Sequence, residues 1–185
     1  MALTSSTMMP LGTKAPAFSL PDTVSGEQLS LDHLKSGVVT VVMFICNHCP
    51  YVKHVQPELV RLAKSYQVKG VAFVAISSND AAGYPEDAPD QMTAVAQRLG
   101  YTFPYLYDET QEVAKAYGAV CTPDFFVFDG DLKCVYRGRL DDSSPGNGRS
   151  LTGADLRAAL DAILERRPVS ADQKPSQGCN IKFRK

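Results

Sequence analysis

The chain has no tryptophan, three histidines and almost no net charge: nineteen Lys and Arg against twenty Asp and Glu leave −1 at pH 7. So balanced a surface supplies no field to attract nucleic acid or an anionic membrane, and neither is an expected partner. No stretch approaches eighteen apolar residues, so no membrane span is expected. Met1 to Pro10 carries no basic residue and no apolar run of signal-peptide length, which makes the cytoplasm the expected location. Five cysteines is an odd number for a chain without an export signal, so a framework of stapling disulfides is not expected either. What remains, 185 residues of which 44% are hydrophobic and 21% charged, suits one packed, enzyme-like domain.

Pro10, Gly12, Pro16, Pro21, Gly26 and Gly37 break the first residues into short pieces that suit a leading strand or hairpin. Val38 to Ile45 is β-branched and apolar on both faces, the pattern of a central strand covered by helices on each side. Beyond Cys46, Val52, Val55, Leu59, Leu62 and Tyr66 form one apolar stripe on a helix of about 18 residues, bent by Pro57. Gly70 closes it, Val71 to Ile76 is a second buried strand, and Ser77 to Pro89 reads as a long loop at that strand's carboxyl end, bordering the site. A helix is expected over 90–99, a minor strand over 103–107, and a helix over 109–117 opened by the pair Asp108 and Gln111. Asp129-Gly130 between two short strands predicts a hairpin, and Leu156, Leu160, Ile163 and Leu164 predict a last helix ended by Pro168. The domain is expected to span 1–168, with 169–185 an aperiodic tail.

The residues that carry chemistry are Cys46-Asn47-His48-Cys49-Pro50, where a buried parallel strand ends and a helix begins. A thiolate there faces unpaired backbone N–H groups and the positive end of the helix dipole, so Cys46 is expected to be acidic and nucleophilic. Cys49, inside the first turn, is placed to attack a mixed disulfide on Cys46. The competing reading of a Cys-x-x-Cys pair is half a zinc site, but the remaining cysteines, Cys121, Cys134 and Cys179, are scattered singles. No metal and no cofactor is expected.

With these residues in place, the chain resembles the thioredoxin superfamily over nearly its whole length. The opening Leu11-Gly-Thr-Lys-Ala-Pro-Ala-Phe-Ser-Leu is similar to that of its redoxin (AhpC/TSA, peroxiredoxin-like) branch. The resemblance implies an α/β thioredoxin-like fold, a central mixed β-sheet flanked by helices, with extra N-terminal strands and a central insertion. It also implies that Pro123 is a cis-proline facing the two cysteines, with Thr122 before it offering backbone atoms to substrate. His48, immediately before the second Cys, resembles the Cys-x-His-Cys sites of disulfide isomerases, where it stabilises the thiolate and makes the disulfide more oxidising.

The implied activity is thiol-disulfide exchange with protein or small-molecule disulfides and a thiol reductant: Cys46 attacks, Cys49 resolves and His48 tunes. Val41 to Ile45 lacks the Pro-x-x-x-Thr/Ser element of peroxide-attacking sites, leaving a thiol-dependent peroxidase as the alternative enzyme. A metal-binding or redox-sensing module is the non-enzyme alternative. Thr40 to Ile45 contains no carboxylate to oppose a thiolate, so the couple is expected to be more oxidising than thioredoxin's roughly −270 mV. Cys121 and Cys134 suit small buried hydrophobes, while Cys179, in the tail beside Gly178, is expected to be an exposed thiol that could act as a resolving or regulatory partner.

Overall fold

The computed structural model describes residues 3–185; Met1 and Ala2 lie outside it. Strands β1 (Leu3–Ser5), β2 (Ser19–Pro21) and β3 (Gln28–Ser30) precede helix α1 (Leu31–Leu34) and strand β4 (Val39–Phe44). Helix α2 (Pro50–Gln67), β5 (Val71–Ser77), α3 (Pro89–Leu99), β6 (Tyr105–Tyr107) and α4 (Glu112–Tyr117) follow. The chain ends with β7 (Cys121–Thr122), β8 (Asp124–Asp129), β9 (Cys134–Gly138), α5 (Ala154–Leu164) and β10 (Gln177–Asn180).

The central sheet has the order β6-β5-β4-β8-β9. β4 runs parallel to β5, β5 to β6, while β8 is antiparallel to both β4 and β9, so the sheet is mixed as expected. Every residue of β4 is buried, because alternate side chains feed two cores. Val39, Val41 and Met43 join Val52, Leu59, Met92 and Leu160 from α2, α3 and α5 on one face. Val42 and Phe44 join Leu31, Tyr117 and the leading residues Phe18 and Leu20 on the other. The apolar stripe of α2 is the stripe read from the sequence, and Pro57 lies inside the helix.

Three local expectations need correction. Helix α4 begins at Glu112 rather than 109, since Gln111 takes a left-handed φ of 64° and provides no side-chain cap; the Asp108 carboxylate instead receives Val113 and Ala114 N–H. The turn between β8 and β9 is longer than Asp129-Gly130: Leu132 carries the positive φ, and the Asp129 carboxylate accepts the N–H groups of Asp131 and Lys133. The third correction concerns the tail. Within 169–185, β10 is the middle strand of a sheet with β1 and β7, and Ile181 lies in the second core. Gly178 permits this: a Cβ on it would stand 1.9 Å from the Thr122 carbonyl oxygen, closer than any side chain allows.

Candidate active site

The end of β4 delivers Ile45, whose N–H still reaches the Ile76 carbonyl at 3.0 Å, and the chain then bends through 46–49 into α2. Cys49 is the N-cap, in extended conformation, and Pro50 takes the first helical position, where its missing N–H costs little. Pro123 follows a cis peptide bond from Thr122, as the resemblance implies. Thr122 meets both sulfurs. Its Oγ1 is 3.4 Å from Cys46 Sγ, and its carbonyl accepts from Cys49 Sγ at 3.4 Å. That carbonyl, offered to substrate by the resemblance, is taken by Cys49 in the resting protein.

The bend between the cysteines is held by a residue the sequence reading did not single out. Asp87, fully buried, comes from a 3-10 turn (Pro85–Asp87) in the long loop after β5. Its Oδ1 accepts the N–H of Asn47 at 2.7 Å and of His48 at 3.2 Å. Its Oδ2 bonds His48 Nδ1 at 2.5 Å and accepts from Asn79 Nδ2 at 2.8 Å. Asn47 is fixed again by the Glu86 carbonyl and the Tyr105 hydroxyl, and the His48 ring stacks on Tyr84 at 5.1 Å. The loop therefore borders the site as expected, and Asn79 touches it. The signal that could have found Asp87 was its place at the carboxyl end of a parallel strand. Its partners on the turn between the cysteines, Asn47 and His48, lie about forty residues away, so spacing carried no hint.

This carboxylate alters the electrostatics expected of Cys46. The N–H groups of Asn47 and His48, which would have favoured a thiolate, instead point at Asp87. Burial opposes the Asp87 charge, but His48, Asn79 and the Asn47 N–H outweigh it and hold its pKa below the usual carboxylate range. The paired thiols share protons as a unit. Cys46 is pushed up by its hydrogen bond to Cys49, by burial and by the Asp87 charge. Cys49 is drawn down to about 5, chiefly because the Cys46 S–H donates to it; burial opposes this, and Cys179 and the Val52 N–H assist. One thiolate on the pair is favoured and a second is opposed. The expectation of an acidic Cys46 with no opposing carboxylate is thus corrected: the carboxylate arrives from another element.

Both sulfurs are closed off, Cys46 at 1% and Cys49 at 0% exposure, so a substrate can meet them only through local opening of the surrounding chain. Beside Pro123, a cleft of about 360 Å³ is lined by Tyr51, His54, Arg139, Ser143 and Lys174, but not by either sulfur. His54 Nε2 faces Ser143 Oγ at 3.0 Å and His33 is exposed, so neither serves the thiols. Cys46, His48 and Asp87 bring donor atoms within 4.8 Å of one another. Each Asp87 oxygen already accepts two hydrogen bonds, which suits a thiol–imidazole–carboxylate array that moves protons.

Sheet order, helix placement and a paired-thiol turn facing a cis-proline define a thioredoxin-like protein of the redoxin branch. Residues 11–137 match the AhpC/TSA family, and the chain belongs to that family. It is 29% identical over 162 residues to the thiol-disulfide oxidoreductase ResA of Geobacillus thermodenitrificans, covering 86% of this chain and 82% of that one. Its fold matches the crystal structure of an uncharacterized conserved protein from Geobacillus kaustophilus at 64% identity and a TM-score of 0.98, covering 100% and 97% of the two chains. A hypothetical protein of Sinorhizobium meliloti, SMc02350, matches at 48% identity and 0.95, with 98% of each chain covered.

His48→Ala is expected to lower the reduction potential of the Cys46/Cys49 couple. Without the imidazole, the Asp87 charge stands unpaired beside Cys46 and disfavours a thiolate there, which weakens the reduced state. A fall of about 30 mV, corresponding to ~1.4 kcal/mol, should appear in glutathione redox titration. An unchanged potential would make the imidazole electrostatically irrelevant.

Proposed function

We propose that the protein is a thiol-disulfide oxidoreductase that reduces protein or small-molecule disulfides through Cys46 and Cys49 and is returned to the dithiol by a thiol reductant in a reducing, cytoplasmic setting. The observation that carries this reading is the placement of two thiols at the head of α2, each 3.4 Å from Thr122 before the cis-proline Pro123 and beside the Asp87–His48 pair. The kinship with ResA supports the same chemistry.

In the forward direction the shared proton shifts to Cys49 as a substrate disulfide opens the site. The Cys46 thiolate then attacks one substrate sulfur, forming a mixed disulfide and expelling a thiolate that takes its proton from the His48–Asp87 pair. Cys49 next gives up its proton and attacks the Cys46 sulfur. The Cys46–Cys49 disulfide forms, the mixed disulfide breaks, and the second substrate thiolate leaves with that proton. Two electrons pass from the thiols to the substrate with two protons, one from the thiol pair and one from the His48–Asp87 pair, which regains its proton from water, so no metal or cofactor is needed.

Trapping tests the order of events. With an aromatic disulfide such as 5,5′-dithiobis(2-nitrobenzoate), Cys49→Ser should hold one equivalent of mixed disulfide on Cys46, whereas the parent releases both aromatic thiols. Mass spectrometry locates the adduct. An adduct forming on Cys49 in Cys46→Ser at the parent's rate would reverse the roles. Peroxide consumption that survives Cys49→Ser would favour the peroxidase reading instead.

A further inference from the structure

We propose that Cys179 is a third redox thiol of this site, exchanging with the Cys46–Cys49 disulfide to form a Cys49–Cys179 disulfide and return Cys46 as a free thiol. The proposal rests on the function proposed above and extends it. In the antiparallel pairing of β10 with β7, Cys179 stands directly opposite Thr122. Residues so paired project to the same face of their sheet. Thr122 is the residue whose Oγ1 lies 3.4 Å from Cys46 Sγ and whose carbonyl lies 3.4 Å from Cys49 Sγ, so the register places a third sulfur beside the first two. All three are buried in one core, and the Cys179 thiol donates to the Cys49 sulfur.

The other cysteines are placed differently. Cys121, the residue before Thr122 on β7, pairs with Asn180 and projects to the opposite face. Cys134 belongs to the second core, where its thiol reaches the Tyr136 carbonyl at 3.6 Å. Gly178 adds a structural reason to see the approach as built: no other residue could bring β10 this close to Thr122.

The exchange is gated by the state of the pair. In the dithiol, burial and the hydrogen bond to Cys49 hold Cys179 protonated, its pKa pushed up to about 12. Once Cys49 is in a disulfide, the second of these influences is gone. The Cys179 thiolate then attacks the Cys49 sulfur; the Cys49–Cys179 bond forms, the Cys46–Cys49 bond breaks, and Cys46 takes up the proton Cys179 released. No electrons enter or leave. The oxidising equivalent moves to a buried disulfide, and Cys46 is again able to attack.

The test is disulfide mapping of the full chain. Parent protein oxidised with one equivalent of diamide, quenched in acid, alkylated under denaturing conditions and cut with trypsin should yield the peptide bounded by Lys35 and Lys53 linked to the one carrying Cys179, with Cys46 alkylated. Cys46→Ser should give the same link. Cys179→Ser should give only the internal Cys46–Cys49 bridge; Cys179→Ala, which keeps the position apolar, replaces it if the serine variant fails to fold. Finding Cys179 alkylated throughout, or linked only in Cys46→Ser, would overturn the exchange. Insulin reduction that needs neither Cys46 nor Cys49 would instead sink the proposed function, and the mapping would still report whether Cys179 pairs.

Discussion

Replacing Asp87 with alanine is expected to destabilise the protein by about 3 kcal/mol, the range for deleting a buried, fully hydrogen-bonded charge. Four donors lose their acceptor at once: the N–H groups of Asn47 and His48, the His48 ring and the Asn79 amide. Chemical denaturation at neutral pH reads this loss. The same substitution should make Cys46 more acidic, because the carboxylate that opposes its thiolate is gone and the two N–H groups become free to solvate it. Stabilising the reduced thiolate raises the potential, so the couple should become more oxidising by about 30 mV or more, opposite in sign to His48→Ala. Thiolate absorbance against pH and a glutathione titration check both. The pH dependence has a fixed sign. Asp87's folded pKa is depressed, so its contribution to stability is present above the ordinary aspartate pKa and is lost as pH falls through the lower folded value. A variant with parental stability and potential would show the carboxylate to be a bystander.

The residues that were legible in the sequence are those whose signals are local. A strand apolar on both faces, an i, i+3, i+4 stripe and a Cys-x-x-Cys at their junction fixed the centre of the sheet and the place of the thiols before any contact was known. Pro123 became interpretable only through resemblance, since a proline before a strand has ordinary readings. Asp87 lay in a stretch of Ser, Asn, Asp, Gly and Pro that looked solvated, and only tertiary structure carries a loop carboxylate onto a turn forty residues earlier. The tail failed for a related reason. β10 has a glycine, polar ends and no periodicity, because it is held by pairing between β1 and β7 rather than by an apolar face of its own. Absence of a carboxylate on one strand therefore said little about the field at its end.

A second buried aspartate carries the opposite sign. Asp124, 1% exposed at the start of β8, accepts the Phe125 N–H through Oδ1, while its Oδ2 and the Ser176 hydroxyl are both buried without a completed hydrogen bond among the described residues. Burial pushes its pKa up to about 8 from an ordinary 3.8, so it folds as the neutral acid. Between those limits the unfolded chain is ionised and the native state is not. The native state then binds more protons, and the stability this acid permits in full below pH 4 is lost as pH rises towards 8. At about 1.4 kcal/mol per unit the nominal loss is near 6 kcal/mol, and relaxation around the charge should leave roughly half of it. Asp124→Asn keeps the shape and the acceptor for Phe125, and its amide can donate towards Ser176. The variant should match the parent near pH 4 and exceed it by about 3 kcal/mol at pH 9, a difference read from denaturant midpoints across that range. Parallel stability profiles for the two proteins would mean that Asp124 is already ionised in the native state.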